Sequence, residues 1–139
     1  MGILDNITDF FSSSSLESIQ EYEKNIQKLH SMAMFSEIVA IIGTGGRLKG
    51  LPLIYSVNQE ENFKKVVAKI SELVHHAKEL DNQKELVELN LNFKGLYVIH
   101  VPIKENFGFL GASPTWNDMK VFREWMKKNL KKLQDLFKD

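Results

Sequence analysis

The sequence predicts an α+β domain in which a five-stranded antiparallel sheet carries helices on both of its faces. Apolar residues recur every three or four positions in three long segments, which indicates three amphipathic helices. Five shorter segments rich in β-branched and aromatic residues lie between these helices, and glycines or asparagines separate consecutive strands. Along the chain the elements follow the order α-β-β-α-β-β-β-α, and strands joined by short turns pair antiparallel.

The first helix and a hairpin are predicted from residues 16–57. Apolar side chains three or four positions apart between Leu16 and Ala33 form one helical stripe. Glu37–Ile42 is short and β-branched and is followed by glycines, as expected for a buried strand. The Gly-rich segment GTGGRLKG then leads into a second strand, LPLIYSV, so these two strands are predicted to form a hairpin.

A second helix and a three-stranded meander follow the hairpin. Helical spacing returns over Glu60–Leu80, with Asn58 as the expected N-cap. Leu86–Phe93 alternates apolar and polar residues, which indicates a strand with one less covered face. After a Lys-Gly turn, LYVIHVPI is a mostly apolar strand, and Phe107–Ala112 is the last strand of the meander.

A third helix closes the predicted domain, with Ser113 as its expected N-cap and Pro114 as its first residue. The domain covers residues 16–139, and residues 1–15 form an arm that ends in four serines. Large apolar residues stand at helical spacing in this arm: Ile3, Leu4, Ile7, Phe10 and Phe11. An amphipathic segment of this kind can dock in a groove of its own dimer or of a partner.

Composition narrows the class of protein. The 139 residues, 43% of them hydrophobic and 26% charged, are typical of one globular domain. Eighteen basic residues balance eighteen acidic ones, so we expect no attraction to nucleic acid. No apolar run approaches the roughly 20 residues of a membrane-spanning helix. Asp5 and Asp9 stand where a secretory signal carries positive charge, so we expect a cytoplasmic protein without membrane insertion.

The residues that commonly carry chemistry do not assemble into a catalytic pattern. The chain has no cysteine, which excludes disulfides, thiolate nucleophiles and Cys-based metal sites. The glycine-rich segment lacks a phosphate-loop signature, because Lys49 is followed by Gly50 instead of Ser or Thr. His75 and His76 are adjacent and would point about 100° apart on a helix, which is unsuited to chelation. We therefore expect no enzyme activity, no metal and no cofactor.

One short motif resembles a known family. Lys49–Ser56 (KGLPLIYS) is similar to the glycine–leucine–proline–isoleucine segment that opens the second strand in the roadblock/dynein light chain family. Phe107–Ala112, running into an amphipathic last helix, resembles that family's closing strand and helix. The resemblance covers roughly residues 16–137. The Gly43–Gly50 connection departs from it, because it is longer and richer in glycine than the family's usual tight turn.

The resemblance implies that the first and last helices share one sheet face and the middle helix covers the other. It also implies a dimer in which the middle helices pair across a two-fold axis and the third strands join into one sheet. An unpaired edge over Glu85–Phe93 would be satisfied by such pairing. The expected dimer contacts are Val67, Ile70, Val74, Glu85, Val87, Leu89 and Leu91. The alternative is a monomer with a broad core helix.

The resemblance further implies a non-enzymatic dimeric interaction module that binds and regulates, or scaffolds, a Ras-like small GTPase. The dimer partner would be a second copy or a related roadblock subunit. The alternative is a subunit of a transport or motor scaffold that binds peptide segments without regulating a GTPase. Four residues are candidates for partner contact: Arg47, Lys49, His75 and Lys78. Arg47 could stabilise charge during phosphoryl transfer on a GTPase, or it could be a solvated loop residue.

Overall fold

A computed structural model describes residues 15–137 of the chain. The elements are α1 (Ser15–Met32), β1 (Ile38–Gly43), β2 (Pro52–Val57), α2 (Phe63–Leu80), β3 (Leu89–Phe93), β4 (Leu96–Lys104), β5 (Phe107–Ser113) and α3 (Trp116–Leu136). A short 3-10 helix, Gly46–Leu48, lies between β1 and β2. This order confirms the predicted α-β-β-α-β-β-β-α arrangement. The arm predicted over residues 1–15 lies outside the described residues, except for Ser15, where α1 begins.

The five strands form one antiparallel sheet in the order β2-β1-β5-β4-β3. The strands β1 and β5 are central, whereas β2 and β3 lie at the two edges. The pairing of β3 with β4 extends from Leu89 opposite His100 to Phe93 opposite Leu96. Because β4 is longer than β3, its last four residues, Val101–Lys104, extend beyond that pairing.

The helices lie in two layers. In one core cluster, Ile26 of α1 and Phe122 of α3 share a sheet face with Ile41 and Phe109. Neighbouring strand residues point the other way, so Leu110 packs with α2 on the opposite face. This confirms that the first and last helices share one face and that the middle helix covers the other. Complete burial of each large apolar side chain contributes about 1.5–3 kcal/mol.

The start of α3 differs from the prediction. Its N-cap is Thr115, whose Oγ1 accepts a hydrogen bond from the Asp118 backbone N–H at 3.3 Å. Ser113 instead ends β5, and its hydroxyl donates to Asp118 Oδ2 at 2.6 Å. The same carboxylate oxygen accepts the backbone N–H of Phe35 at 3.1 Å. Ser113 therefore holds a buried carboxylate instead of capping the helix, and Pro114 precedes the helix.

The start of α2 also differs. The helix begins at Phe63 instead of Glu60, and the residue before it, Asn62, has a left-handed backbone with φ of 68° and no side-chain cap. Asn58, the predicted cap, donates its side-chain amide to the Ser36 carbonyl at 3.1 Å. The amide of Asn58 thus ties β2 to the segment before β1.

Candidate interaction surface

The inward side of α2 is already occupied by the chain's own sheet. Val67, Ile70 and Val74 are buried in the single chain and pack with Ala40 and Leu110. A side chain enclosed in this core cannot also contact a partner without unfolding the helix from the sheet. The structure therefore corrects the expectation that these three residues belong to a dimer surface, because they form the centre of the helix's core stripe.

The outward side of α2 carries the apolar surface that remains available. Leu73 is 42% exposed and Leu80 is 89% exposed. A shallow groove of about 550 Å³ lies beside Leu73, between α2 and the connection from β1 to β2. Ala68 and His76 contribute to the same groove, so this side of the helix is partly apolar and partly polar.

An ion pair joins that connection to α2. Lys49 Nζ lies 3.0 Å from Glu72 Oε1. The hydrogen bond from Lys49, together with its charge, lowers the pKa of Glu72 below its usual value. Gly50, with φ of 82°, lies so close to the helix that an added Cβ would be 3.5 Å from the Ala68 Cα. The connection therefore packs directly on the helix.

The candidate partner contacts Lys49, His75 and Lys78 have polar partners within the described residues. Lys49 pairs with Glu72, His75 Nε2 pairs with Glu79, and the Lys78 ammonium donates to the Glu105 carbonyl at 2.9 Å. Arg47 lies in the 3-10 helix of the β1–β2 connection, and the residue is exposed. The fold thus brings Arg47 and Lys49 to the same connection, and His75 and Lys78 to α2.

The glycine-rich connection is a compact loop in which several backbone N–H groups donate to carbonyls of the same chain. The N–H groups of Gly43 and Gly50 donate to the carbonyls of Leu51 and Gly43, each at 2.9 Å. The Thr44 N–H donates to the Asn106 carbonyl at 2.8 Å. A Cβ at Gly43 would lie 2.0 Å from the Leu48 carbonyl oxygen, so this close crossing requires glycine. These N–H groups therefore do not point outward, as the donors of a phosphate-binding loop would.

The outer edge of β3 is unpaired within residues 15–137. Leu89 and Leu91 are half-buried against the α2 side of the sheet. Val87 is 76% exposed, and Glu85 is also exposed. The strand is shorter than the predicted Leu86–Phe93, because residues 86–88 do not pair with β4. Five residues of strand edge therefore remain available for pairing.

The other face of this edge is tied to α3 by Arg123, a contact that sequence reasoning missed. Arg123 Nε and Nη2 donate to the two carboxylate oxygens of Glu88 at 3.0 and 3.3 Å. Nη2 also lies 3.3 Å from Asn90 Oδ1, and the guanidinium carbon lies 5.1 Å from the Trp116 ring centre. Partial burial would raise the pKa of Glu88, but the hydrogen bonds from Arg123 and Asn90 outweigh it and lower the pKa.

His100 is the buried titratable group beside β3. Its side chain is enclosed, and within the described chain neither ring nitrogen makes a hydrogen bond of normal geometry. A Cβ at Gly108 would lie 1.9 Å from the His100 ring, so the glycine makes room for the imidazole. Burial lowers the pKa of His100 to about 4, and the nearby Lys78 charge adds to this effect, partly opposed by the Phe109 backbone.

Between Ser15 and Phe137, no group of three or more His, Cys, Asp or Glu is arranged to hold a metal ion. None of the helices described here combines the length and apolarity that crossing a membrane requires.

Comparison with known proteins identifies the fold. No protein-family model and no curated protein sequence matches the chain. Among solved structures, Myxococcus xanthus MglB is similar with a TM-score of 0.69 and 8% identity over 88% of this chain and 95% of its own. A Roadblock/LC7 domain from Streptomyces avermitilis gives a TM-score of 0.59 and 12% identity over 80% of this chain and 96% of its own.

A third structure agrees with these two. MglC from Myxococcus xanthus has a TM-score of 0.55 and 11% identity, covering 81% of this chain and 96% of its own. All three similarities extend over most of both chains, and they agree with the element order, the sheet topology and the two helical layers described above. The chain therefore has the fold of a roadblock-type domain.

Proposed function

We propose that this chain is a non-enzymatic interaction module that dimerises through the β3 edge and binds a Ras-like small GTPase, which it regulates or scaffolds. The observation that carries the proposal is the open β3 edge, because the backbone of Leu89–Phe93 has no neighbouring strand on its outer side within residues 15–137. Exposed strand edges in soluble proteins are usually covered, and a second copy of the same edge is a self-complementary cover.

The dimer would extend the sheet across a two-fold axis. Antiparallel pairing of β3 with its copy would satisfy the backbone groups of Leu89–Phe93 and join the two five-stranded sheets. Leu89 and Leu91 lie on the α2 side, so the outward faces of the two α2 helices would flank the new seam. Self-association also occurs in one protein of this fold, since a solved MglB has a tetrameric arrangement.

The GTPase would bind the outward face of α2 together with the β1–β2 connection. The partner class is implied by the resemblance to roadblock domains. The chemistry of the surface supports a protein partner, because exposed apolar Leu73 is surrounded by the polar groups of Lys49, Glu72 and His76. Arg47, on the same connection, would contact the partner at the rim of this surface.

Light scattering of the full chain tests the dimer. We expect a mass near twice 16.0 kDa that shifts toward one protomer in Val87→Glu, because a charge would be desolvated at the seam. Met34→Glu is the matched control. Met34 and Val87 are both 76% exposed, but Met34 lies beside Ser56 of β2, at the opposite edge of the sheet from β3. A wild-type chain that stays monomeric at all concentrations would contradict the proposed dimer.

Affinity measurements against Ras-like GTPases test the partner. Each GTPase is loaded with GDP or with a slowly hydrolysed GTP analogue. We expect one nucleotide state to bind more tightly, and Leu73→Glu to weaken binding by roughly tenfold or more. The Met34→Glu variant should bind like the wild type. Equal affinity for both states would argue against regulation and favour the scaffold alternative, because equal binding cannot shift a switch.

A further inference from the structure

A groove of about 960 Å³ lies on the other side of the molecule, between α3, the end of β4 and the segment that leads into β3. It exists because β4 continues past its pairing with β3, while residues 85–88 diverge from the sheet. Val101 and Ile103 of β4 and Met126 and Leu130 of α3 line it, and Val87 contributes to one wall.

The groove is suited to an apolar occupant. Ile103 and Met126 are buried at its floor, whereas Val101 and Leu130 are half-buried and keep apolar surface in contact with water. Covering such surface is favourable in proportion to the apolar area removed from water. The rim carries basic and acidic side chains in nearly equal number, so apolar fit and reach, instead of net charge, decide what binds there.

The chain itself contains a segment with the matching pattern. Apolar residues at positions 3, 4, 7, 10 and 11 repeat at the spacing of one helix face, and Asp5 and Asp9 fall between them. As a helix, residues 3–11 would be about 13 Å long. The part of α3 that lines the groove, from Arg123 to Asp135, spans about 18 Å, which is enough to accommodate it.

The point where this segment joins the domain lies near the groove. Ile19 and Tyr22, in the first half of α1, belong to the same core cluster as Leu133 and Leu136 at the end of α3. Burial raises the pKa of Tyr22, and the charges of Glu21 and Asp135 add to it, which agrees with that proximity. Asp135 also lines the groove.

The connecting serines are long enough to cross α3. Four extended residues, from Phe11 to Ser15, span about 13 Å. A helix with its side chains is about 10–12 Å wide. Four extended residues therefore match the width of the helix that the segment has to cross to reach the groove of the same molecule.

We propose that residues 3–11 of this chain bind as an amphipathic helix in the groove of their own molecule. The apolar residues of the segment would face Leu130 and Val101, and the two aspartates would face water. Because Val87 forms part of the wall, the bound segment would also hold residues 85–88 in place beside β3.

Disulfide formation in the full-length chain tests this proposal. The chain has no cysteine, so two introduced cysteines can form one disulfide only. Ile7→Cys is combined either with Lys127→Cys, which lines the groove, or with Lys128→Cys, the next residue on the same helix. Both lysines are exposed, so both pairs should fold. We expect the Lys127→Cys pair to form an intramolecular disulfide roughly tenfold faster, because docking raises its effective concentration.

Two further variants sharpen the test. Adding Phe10→Ser and Phe11→Ser should remove the preference for Lys127→Cys, since the apolar face would be lost. Equal rates for the two pairs would overturn the proposal. Disulfide-linked dimers as the main product would overturn it as well, because they would assign the segment to a partner's groove. The outcome does not depend on whether the chain binds a GTPase or pairs through β3.

Discussion

The two edge strands of the sheet are stabilised in different ways. At β2 the strand begins with Pro52, which has no N–H to offer, and its end is tied to α1 through His30. His30 Nε2 donates to the Ser36 carbonyl at 2.8 Å, and His30 Nδ1 lies 2.7 Å from the Ser56 hydroxyl oxygen, within hydrogen-bond distance. At β3, Arg123 ties down one face only. The β2 edge thus begins with a proline and is anchored at its end, whereas the five residues of β3 contain no proline and all keep their backbone N–H groups, so β3 is the edge better suited to pair with another strand.

The largest expected effect is a loss of folding stability at low pH, caused by His100 on β4, the strand that pairs with β3. His100 lies opposite Leu89, and its pKa is about 4 in the folded chain, against an ordinary value of 6.5 when unfolded. The unfolded chain therefore binds more protons between these values, and stability falls as the pH drops from 6.5 toward 4. The loss should reach about 3 kcal/mol.

Denaturant unfolding at a series of pH values measures this loss. The same series in His100→Gln should have a flatter slope over that interval, because glutamine does not titrate. A variant that keeps the wild-type slope would assign the pH dependence to other groups.

An intermediate loss of stability is expected where Arg123 of α3 binds Glu88, next to β3. Arg123→Met removes both hydrogen bonds to Glu88 and the contact with Trp116, leaving a partly buried carboxylate without its arginine. We expect a loss of about 1–3 kcal/mol in unfolding free energy, and faster hydrogen exchange in β3. Lys127→Met, one turn further along the exposed side of α3, should cost much less. Similar losses in the two variants would mean that Arg123 does not anchor the edge.

The smallest effect is expected at the β2 edge. Ser56→Ala removes one hydroxyl hydrogen bond to His30 and should lower the unfolding free energy by about 0.5–1.5 kcal/mol. The mass in solution should stay at the wild-type value, because this edge is not proposed to pair. A change of mass in Ser56→Ala would contradict the proposal that the chain pairs through β3 and not through β2.

Most of the fold could be predicted from the sequence because periodicity reports directly on which faces are buried. The spacing of apolar residues identified each helix and strand, although Ser113 and Asn58 were wrong as caps because their side chains bond elsewhere. The spacing of apolar residues also shows how wide the apolar stripe of a helix is, but it does not show which residues of the stripe face the sheet. For that reason Val67, Ile70 and Val74 were assigned to a partner when they belong to the core.

The remaining features depend on contacts between distant residues. Glu88 and Arg123 are 35 positions apart, and no local pattern links them. The groove beside α3 arises because β3 begins at Leu89, three residues later than the alternation suggests. Neither a long-range ion pair nor the divergence of two strands leaves a periodic signal in the sequence.

The compact connection between β1 and β2 has a consequence for binding. Its backbone hydrogen bonds, among them Lys49 N–H to the Gly46 carbonyl at 3.3 Å, already restrict the loop before any partner arrives. The conformational entropy of these residues is lost when the domain folds, so none of that loss has to occur on association. A partner that meets Arg47 and Lys49 there would meet a preorganised surface, and its affinity would reflect contacts instead of loop ordering.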